Sequence, residues 1–175
     1  MKFIPTPIED LFIVEPAVFE DPRGYFFESY NKTAFAKQGI DLEFLQDNQS
    51  ISQKGVLRGL HFQNPPFAQG KLVRVLRGAV LDVVVDIRKK SKTYGKWINI
   101  ELTPQNKKML LVPKGCAHGF QALEKNTVVE YFVSQYYAPS SESGIRWNDP
   151  FFKIQWPIRK AILSSKDEQW PLVKY

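Results

Sequence analysis

Short apolar and β-branched runs, separated by Gly, Pro and Asn, follow one another along most of the chain. Runs of this length with such breaks are typical of β-strands. The pattern predicts strands at residues 12–18, 25–30, 55–62, 71–76, 79–87, 96–102, 108–112, 119–123 and 127–134. About nine short strands at this spacing predict one all-β domain over residues 1–175, a jelly roll or similar barrel, whose mouth is a common ligand site.

The segments 71–76 and 79–87 are the clearest pair of strands, because both are rich in Val and Leu and only a short turn separates them. Gly78 in that turn can adopt the positive φ that tight hairpin turns require. The pattern therefore predicts a β-hairpin that turns at Arg77 and Gly78.

Helical signals are confined to one short segment, residues 32–38. Asn31 is a suitable N-cap for this helix, and Gly39 is suited to the C′ position. After Ala138 the chain contains four prolines, which predict an extended, loop-rich segment wrapped over the barrel.

The composition limits the classes of function. With 43% hydrophobic and 24% charged residues, the chain can bury a globular core, and its net charge of +6 suits a small anionic ligand. We find no nucleic-acid recognition motif, signal peptide or membrane-spanning run. Cys116 is the only cysteine, so an internal disulfide is excluded and a reducing compartment is allowed. These features predict a cytoplasmic protein that binds neither nucleic acid nor membranes.

The candidate chemistry centres on the only two histidines, His61 in RGLHFQ and His118 in PKGCAHGF. Both lie in apolar, Gly-containing sequence, which suggests the floor of one pocket and proton transfer near neutral pH. Regular alternation places His61 and Gln63 on one face of a strand, whereas Arg58 points the other way unless Gly59 kinks the strand.

A metal site is disfavoured by the available ligands. The segment after His61 offers the neutral amide of Gln63 and no glutamate before Lys71. Two imidazoles and an amide are fewer strong ligands than divalent-metal sites normally have. The sequence therefore predicts no metal. Lys71 begins an otherwise apolar strand, where it is either a solvated edge charge or a partner for an oxyanion.

Several motifs together resemble the dTDP-4-dehydrorhamnose 3,5-epimerase family of the cupin superfamily. They are FEDPRGYFFES, QDNQSIS, GVLRGLHFQNPP, AQGKLVRVLRGAVLDVVVDIR, SKTYG, VPKGCAHGF, YYAP, SGIRWNDP and LSSKD. The resemblance covers nearly the whole chain, from about Pro16 to Pro171. It implies a metal-free, cofactor-free, cupin-type jelly roll that forms a homodimer and acts on a nucleotide-linked 4-keto sugar.

The resemblance also implies roles for individual residues. It makes His61 the catalytic base, Asp167 its carboxylate partner, Tyr131 the acid on the opposite face, and Lys71 the group that stabilises the enolate oxygen. The residues that it implies for substrate binding are Arg23 and Arg58 at the phosphates, and Phe19, Glu28, Gln46, Asn48, His118 and Glu142 along the nucleotide or sugar.

The expected reaction is inversion of C3 and C5 of dTDP-4-keto-6-deoxy-D-glucose, which yields dTDP-4-keto-L-rhamnose. A related enzyme could invert only C3 or move the ketone between C3 and C4, because pocket shape decides this. Two further classes remain open from the residues alone: a non-catalytic cupin that binds sugar nucleotides, and a metal-dependent dioxygenase or isomerase.

Overall fold

The computed structural model describes residues 1–173, and its secondary structure is mainly antiparallel strands. The strands are β1 (Lys2–Pro5), β2 (Phe12–Glu15), β3 (Val18–Asp21), β4 (Gly24–Phe27), β5 (Gln46–Ser52), β6 (Leu57–Gln63), β7 (Lys71–Arg77), β8 (Val80–Asp86), β9 (Trp97–Leu102), β10 (Met109–Val112), β11 (Cys116–Ala122), β12 (Thr127–Val133) and β13 (Glu142–Gly144). The helices are α1 (Lys32–Ala36), α2 (Ser165–Gln169) and a 3-10 turn, Pro139–Ser141. The expected all-β fold with short helices is confirmed.

Two sheets pack face to face and form the barrel. One has six strands in the order β1-β2-β10-β7-β12-β5, and the other has five in the order β13-β6-β11-β8-β9. Between them lies an apolar core to which β7 contributes Val73 and Val75, and β8 contributes Val80 and Val84. In the part of the chain that the structure describes, the strands β3 and β4 pair only with each other and form a separate hairpin.

The outer faces of both sheets are also covered. Helix α1 places Phe35 on the six-stranded sheet, against Leu72 and Met109. The segment after β13 covers the five-stranded sheet with Phe152, which packs near Val83. The C-terminal segment therefore wraps over the barrel as expected, although it also contains β13 and α2, which the proline pattern did not predict.

The predicted hairpin between β7 and β8 is wrong. Both edges of β7 are paired within the six-stranded sheet, to β10 and β12, whereas β8 pairs with β9 and β11 in the other sheet. The turn at Gly78 (φ +79°) carries the chain from one sheet to the other. A side chain there would bring its Cβ within 2.4 Å of Thr127 Oγ1, so this crossing requires glycine.

Local sequence patterns predicted most of the other strands, and helix α1, to within a few residues of their observed bounds. The single run predicted at 12–18 is divided into β2 and β3. Asn31 caps α1 as predicted, since its Oδ1 accepts a hydrogen bond from Ala34 N (3.1 Å). Gly39 has a positive φ but lies one residue beyond C′. No helix within residues 1–173 is long and apolar enough to cross a membrane.

Candidate active site

Two connected cavities, of about 220 and 160 Å³, share His61, Lys71 and Tyr131 in their linings. We call them together the cleft. The first is also lined by Gln46, Asn48, Phe62, Gln63, Gln69, Val133, Tyr137 and Glu142, and the second by Ser50, Arg58, His118, Gly119 and Phe120. The structure therefore brings together eight residues that the family resemblance implied for the site and that are distant in the sequence.

The two sheets supply opposite walls of the cleft. His61 belongs to β6 in the five-stranded sheet, whereas Tyr131 belongs to β12 in the six-stranded sheet. Lys71 begins β7, next to β12, and therefore lies on the same wall as Tyr131. An imidazole on one side consequently faces a phenol and an ammonium on the other.

His61 is held by a buried carboxylate. Its Nε2–H donates to Asp167 Oδ1 at 2.5 Å, and Nδ1 has no hydrogen-bond partner among residues 1–173. Asp167 lies in the first turn of α2, where Ser164 caps the helix and also donates its hydroxyl to Asp167 Oδ2 (2.7 Å). Burial raises the pKa of Asp167, but the bonds from His61 and Ser164 outweigh it and leave the pKa below its usual value. Asp167 can therefore remain ionised and orient His61 as a base.

A close approach of two strands shapes the second cavity. Gly59 has φ +135°, and a Cβ there would lie 2.5 Å from the Cα of Gly119 on β11. The pairing of β6 with β11 shifts register at this point. Arg58 therefore faces the same cavity as His61, which regular alternation would have prevented. The sequence pattern had identified Gly59 as the residue that could turn Arg58 toward the face of His61.

Lys71 is a half-buried cation in an otherwise apolar strand. Burial lowers the pKa of its ammonium to about 8, although the carboxylates of Asp82 and Glu142 oppose this shift. Within residues 1–173 the ammonium has no ion pair or hydrogen bond, so it can interact with a ligand in the cleft. The inward face that Lys71 shares with Val73 and Val75 agrees with the predicted alternation.

Tyr131 presents a protonated phenol. Burial raises its pKa, Arg58 opposes this, and Glu142 adds to it, with a net shift above the usual value. The hydroxyl therefore retains its proton at neutral pH and can donate it.

His118 belongs to a second imidazole–carboxylate pair. Its Nε2–H donates to both oxygens of Asp82, at 2.9 and 3.0 Å. His118 is directly opposite His61 in the pairing of β11 with β6, so the two imidazoles lie on neighbouring strands. The expectation that both histidines form the floor of one pocket is confirmed. The contribution of Asp82 was not evident from the sequence.

Glu142 lines the cleft and interacts with two neighbouring side chains. It accepts a hydrogen bond from the Tyr137 hydroxyl (2.6 Å) and forms an ion pair with Lys166 of α2. Burial raises the pKa of Glu142, but Lys166 and Tyr137 hold it below its usual value. The ion pair joins β13 to α2, the helix that carries Asp167.

Gln63 has a structural role. Its Nε2 donates to the carbonyls of Phe67 (2.7 Å) and Tyr136 (3.1 Å), and its Oε1 accepts from Ala138 N (2.8 Å). These bonds hold the loop after β12 against β6. Within residues 1–173, no cluster of three or more His, Cys, Asp or Glu side chains could hold a metal ion.

Three residues implied for substrate binding, Phe19, Arg23 and Glu28, are not in the lining of the cleft. Phe19 and Arg23 lie in the β3–β4 hairpin, where Arg23 is highly exposed and, among residues 1–173, pairs only with Asp21. Glu28 accepts a bond from Asn31 at the start of α1.

The sequence patterns did not identify two residues at the site that lack a strong motif, one in the lining of the cleft and one behind it. Ser50 belongs to the polar strand β5, and its buried Oγ has no hydrogen-bond partner within residues 1–173. Trp170 packs edge-on to the His61 ring with 6.0 Å between centroids. The QDNQSIS segment could have revealed β5 through Gln46, Asn48 and Ser50, which alternate toward one face.

An antiparallel jelly roll whose cleft contains such an acid–base set defines a cupin-type enzyme. The family model for dTDP-4-dehydrorhamnose 3,5-epimerase matches residues 5–175. The enzyme of that name from Salmonella typhimurium is 50% identical over 175 residues, which cover 99% of this chain and 96% of the relative. The chain belongs to the dTDP-4-dehydrorhamnose 3,5-epimerase family, which acts in dTDP-rhamnose biosynthesis.

Solved structures show the same relationship. The Bacillus anthracis epimerase, crystallised with TDP and PPi bound, has a TM-score of 0.96 and 47% identity, and the match covers 98% of this chain and 99% of that one. The Legionella pneumophila epimerase, in complex with dTDP-4-keto-L-rhamnose, has a TM-score of 0.93 and 45% identity, and the match covers 98% and 92%. The expected fold and enzyme class are confirmed.

Proposed function

We propose that the cleft inverts both C3 and C5 of dTDP-4-keto-6-deoxy-D-glucose, with His61 as base, Tyr131 as acid and Lys71 at the C4 oxygen. The observation that carries the proposal is that His61 and Tyr131 come from facing sheets and line the same cavities. Inversion needs a proton removed from one face of a carbon and another delivered to the opposite face.

The first half of each inversion is deprotonation beside the ketone. Nδ1 of His61 takes the proton from carbon, and the electron pair left behind forms an enolate whose charge lies on the C4 oxygen. Asp167 holds the ring through Nε2 and stabilises the imidazolium that forms, as the carboxylate does in other His–Asp pairs.

The second half is reprotonation from the other side. The Tyr131 hydroxyl gives its proton to the carbon, the enolate electrons return to the ring, and the ketone is restored. Lys71 stabilises the negative oxygen between these steps, which is where a fixed cation has its largest effect on rate. C3 and C5 both adjoin C4, so one oxyanion site can serve both inversions. No redox cofactor or metal enters this scheme.

Polar groups around the cleft suit the nucleotide diphosphate. Arg58 offers a guanidinium next to His61, where it is already steadied by Ser52 Oγ (3.1 Å) and the carbonyl of Ile51 (3.2 Å). Gln46 and Asn48 add amides from β5. The complexes of relatives with TDP and with dTDP-4-keto-L-rhamnose support a ligand of this class.

We further propose that the protein acts as a homodimer in which the β3–β4 hairpin of one copy completes the nucleotide site of the other. The hairpin exposes Phe19 (66%) and Phe26 (69%), an unusual amount of aromatic surface. Arg23 points into solvent and not into the cleft of its own chain. A site in trans would reconcile this placement with the roles that the family resemblance implies.

Mixing two defective variants tests this arrangement. Arg23→Ala is expected to raise KM about 10–100-fold, because a charged hydrogen bond to phosphate is lost. When it is mixed with His61→Asn and the chains re-equilibrate, one site in each hybrid dimer regains both groups. About a quarter of parental activity at low substrate should return, since half of the dimers are hybrids with one intact site. A monomer in sedimentation analysis, or no recovery on mixing, would contradict the proposal.

Incubation with the 4-keto sugar in deuterated water tests the reaction itself. We expect deuterium at both C3 and C5, because each carbon exchanges its proton through an enolate. Mass spectrometry and proton NMR of the product measure this directly. Label at C3 alone would identify a 3-epimerase, and a shifted ketone would identify a 3,4-ketoisomerase. Absence of label with intact substrate would favour a binding protein.

A further inference from the structure

Asp82 is a fully buried carboxylate beneath the cleft. It lies in the middle of β8, on the inward face that also carries Val80 and Val84, and its exposed fraction is 0%. A buried carboxylate without compensation is costly, so a charge at this depth must interact with nearby polar groups.

The direct partner of Asp82 is His118. Both carboxylate oxygens accept from Nε2, and His118 is itself only 6% exposed. This two-point contact fixes the plane of the imidazole ring and assigns its Nε2 proton. The remaining edge of the ring lies along the second cavity, beside Tyr131 and Lys71.

Asp82 also acts on the opposite wall. Burial in the apolar barrel lowers the pKa of Lys71 and thus favours loss of its proton, and Asp82 is the larger of the two carboxylate influences that oppose this. The other is Glu142, whose charge is already engaged by Lys166. The remaining titratable or charged groups that line the cleft with Lys71 are His61, Arg58, His118, Tyr131 and Tyr137.

We propose that Asp82 is a positioning residue for the oxyanion end of the site, where its charge orients His118 and keeps Lys71 cationic. This rests on the proposed function, since it assumes that Lys71 faces the C4 oxygen. Asp82 touches no reacting atom and acts through these two side chains. A purely structural carboxylate would affect stability but not the pH at which Lys71 loses its charge.

The pH profile of kcat/KM distinguishes these roles, because it reports the groups of the unliganded enzyme. In the parent protein Lys71 is charged below pH about 8 and neutral above it, so we expect activity to fall as pH rises through about 8. Asp82→Asn removes a charge that favours the ammonium, and this fall should move to lower pH. If the alkaline fall moves down by one pH unit, kcat/KM of the variant relative to the parent should be roughly tenfold lower at about pH 9 than at about pH 6.

Two variants control for structural damage. Asp86→Asn removes another fully buried carboxylate from the same strand, one that bonds Arg88, Ser91 and Thr93 at a distance from the cleft. It should lower the melting temperature without moving the alkaline fall. Asp82→Glu retains the charge and should keep the fall near its parental position, although kcat drops because His118 is displaced. Should Asp82→Asn fail to fold, Asp82→Ser removes the same charge and carries the same expectation.

The outcomes separate this inference from the proposed function. If Lys71→Ala retains parental activity, the assignment of Lys71 is wrong and the proposed function fails. If Lys71→Ala is inactive but both the Asn and Ser variants of Asp82 keep the parental alkaline fall, only the role of Asp82 is overturned. An equal shift of the alkaline fall in Asp86→Asn would also overturn the role of Asp82, because loss of any buried carboxylate from β8 would then have the same effect.

Discussion

The His61→Asn variant should lose about 10²–10⁴-fold in kcat, the usual contribution of general acid–base catalysis. Asparagine preserves a hydrogen-bonding group near Asp167 but cannot take a proton from carbon. Turnover would be measured by NMR with the 4-keto sugar, and dTDP binding by calorimetry. We expect the affinity for dTDP to remain within a few-fold of the parent, because the proposed function assigns His61 to the sugar and not to the nucleotide.

Retention of binding with loss of turnover would also exclude the non-catalytic sensor as an account of the parent protein. Deuterium exchange into the substrate should cease together with turnover, since the same nitrogen begins both. Turnover within a few-fold of the parent would reject His61 as the base. Loss of dTDP binding would instead indicate that the substitution disturbs the cleft, and circular dichroism would then separate misfolding from local damage.

Tyr131→Phe is expected to separate proton removal from inversion. The variant keeps the aromatic ring on its wall but has no proton to deliver, so the net rate of epimerisation should fall about 10²–10⁴-fold. His61 can still remove a proton and return one to the same face, so deuterium should continue to enter the substrate with its configuration retained. Quantifying label and stereochemistry in the same NMR sample measures both outcomes.

Tyr30→Phe is a matched control for this experiment. Tyr30 is a half-buried tyrosine that packs on Phe35, outside the lining of the cleft. Within the described residues its hydroxyl makes only a long bond to Leu42 O (3.4 Å). Its loss should leave both exchange and inversion at parental rates. If Tyr131→Phe still inverts the sugar at the parental rate, the acid comes from another group. If exchange is abolished as well, Tyr131 assists proton removal and the division of roles is wrong.

The extent to which the sequence predicted the site differs among its residues. The cap at Asn31 and the alternation of Lys71 with Val73 and Val75 follow from neighbours along the chain, and both are confirmed. Asp167 was implied only by family resemblance, because no local pattern distinguishes a turn carboxylate from one that bonds an imidazole 106 positions away. Asp82 was missed for the same reason, since it reads as one polar residue in an apolar strand.

The strand β5 was not predicted because residues that line the cleft occupy its inward positions. Its inward positions carry Gln46, Asn48 and Ser50, which line the cleft and therefore break the apolar alternation by which strands are recognised. The error at Gly78 has a different origin. Two apolar runs joined by a glycine turn satisfy the local requirements of a hairpin, yet hydrogen bonds to β10 and β12 occupy both edges of β7.

By itself the sequence determined most strand positions, the faces on which their side chains lie, and the family. The strand positions and faces depend on residues close together in the chain, through the two-residue period of a strand and the conformational preferences of turns. The family follows from short motifs, each of which is also local in the sequence. Only the tertiary structure decided which sheet each strand joins, that β6 and β12 face each other, and that Asp82 lies beneath His118. Strand partners depend on contacts between residues far apart in sequence, and these contacts form together when the two sheets bury a common core.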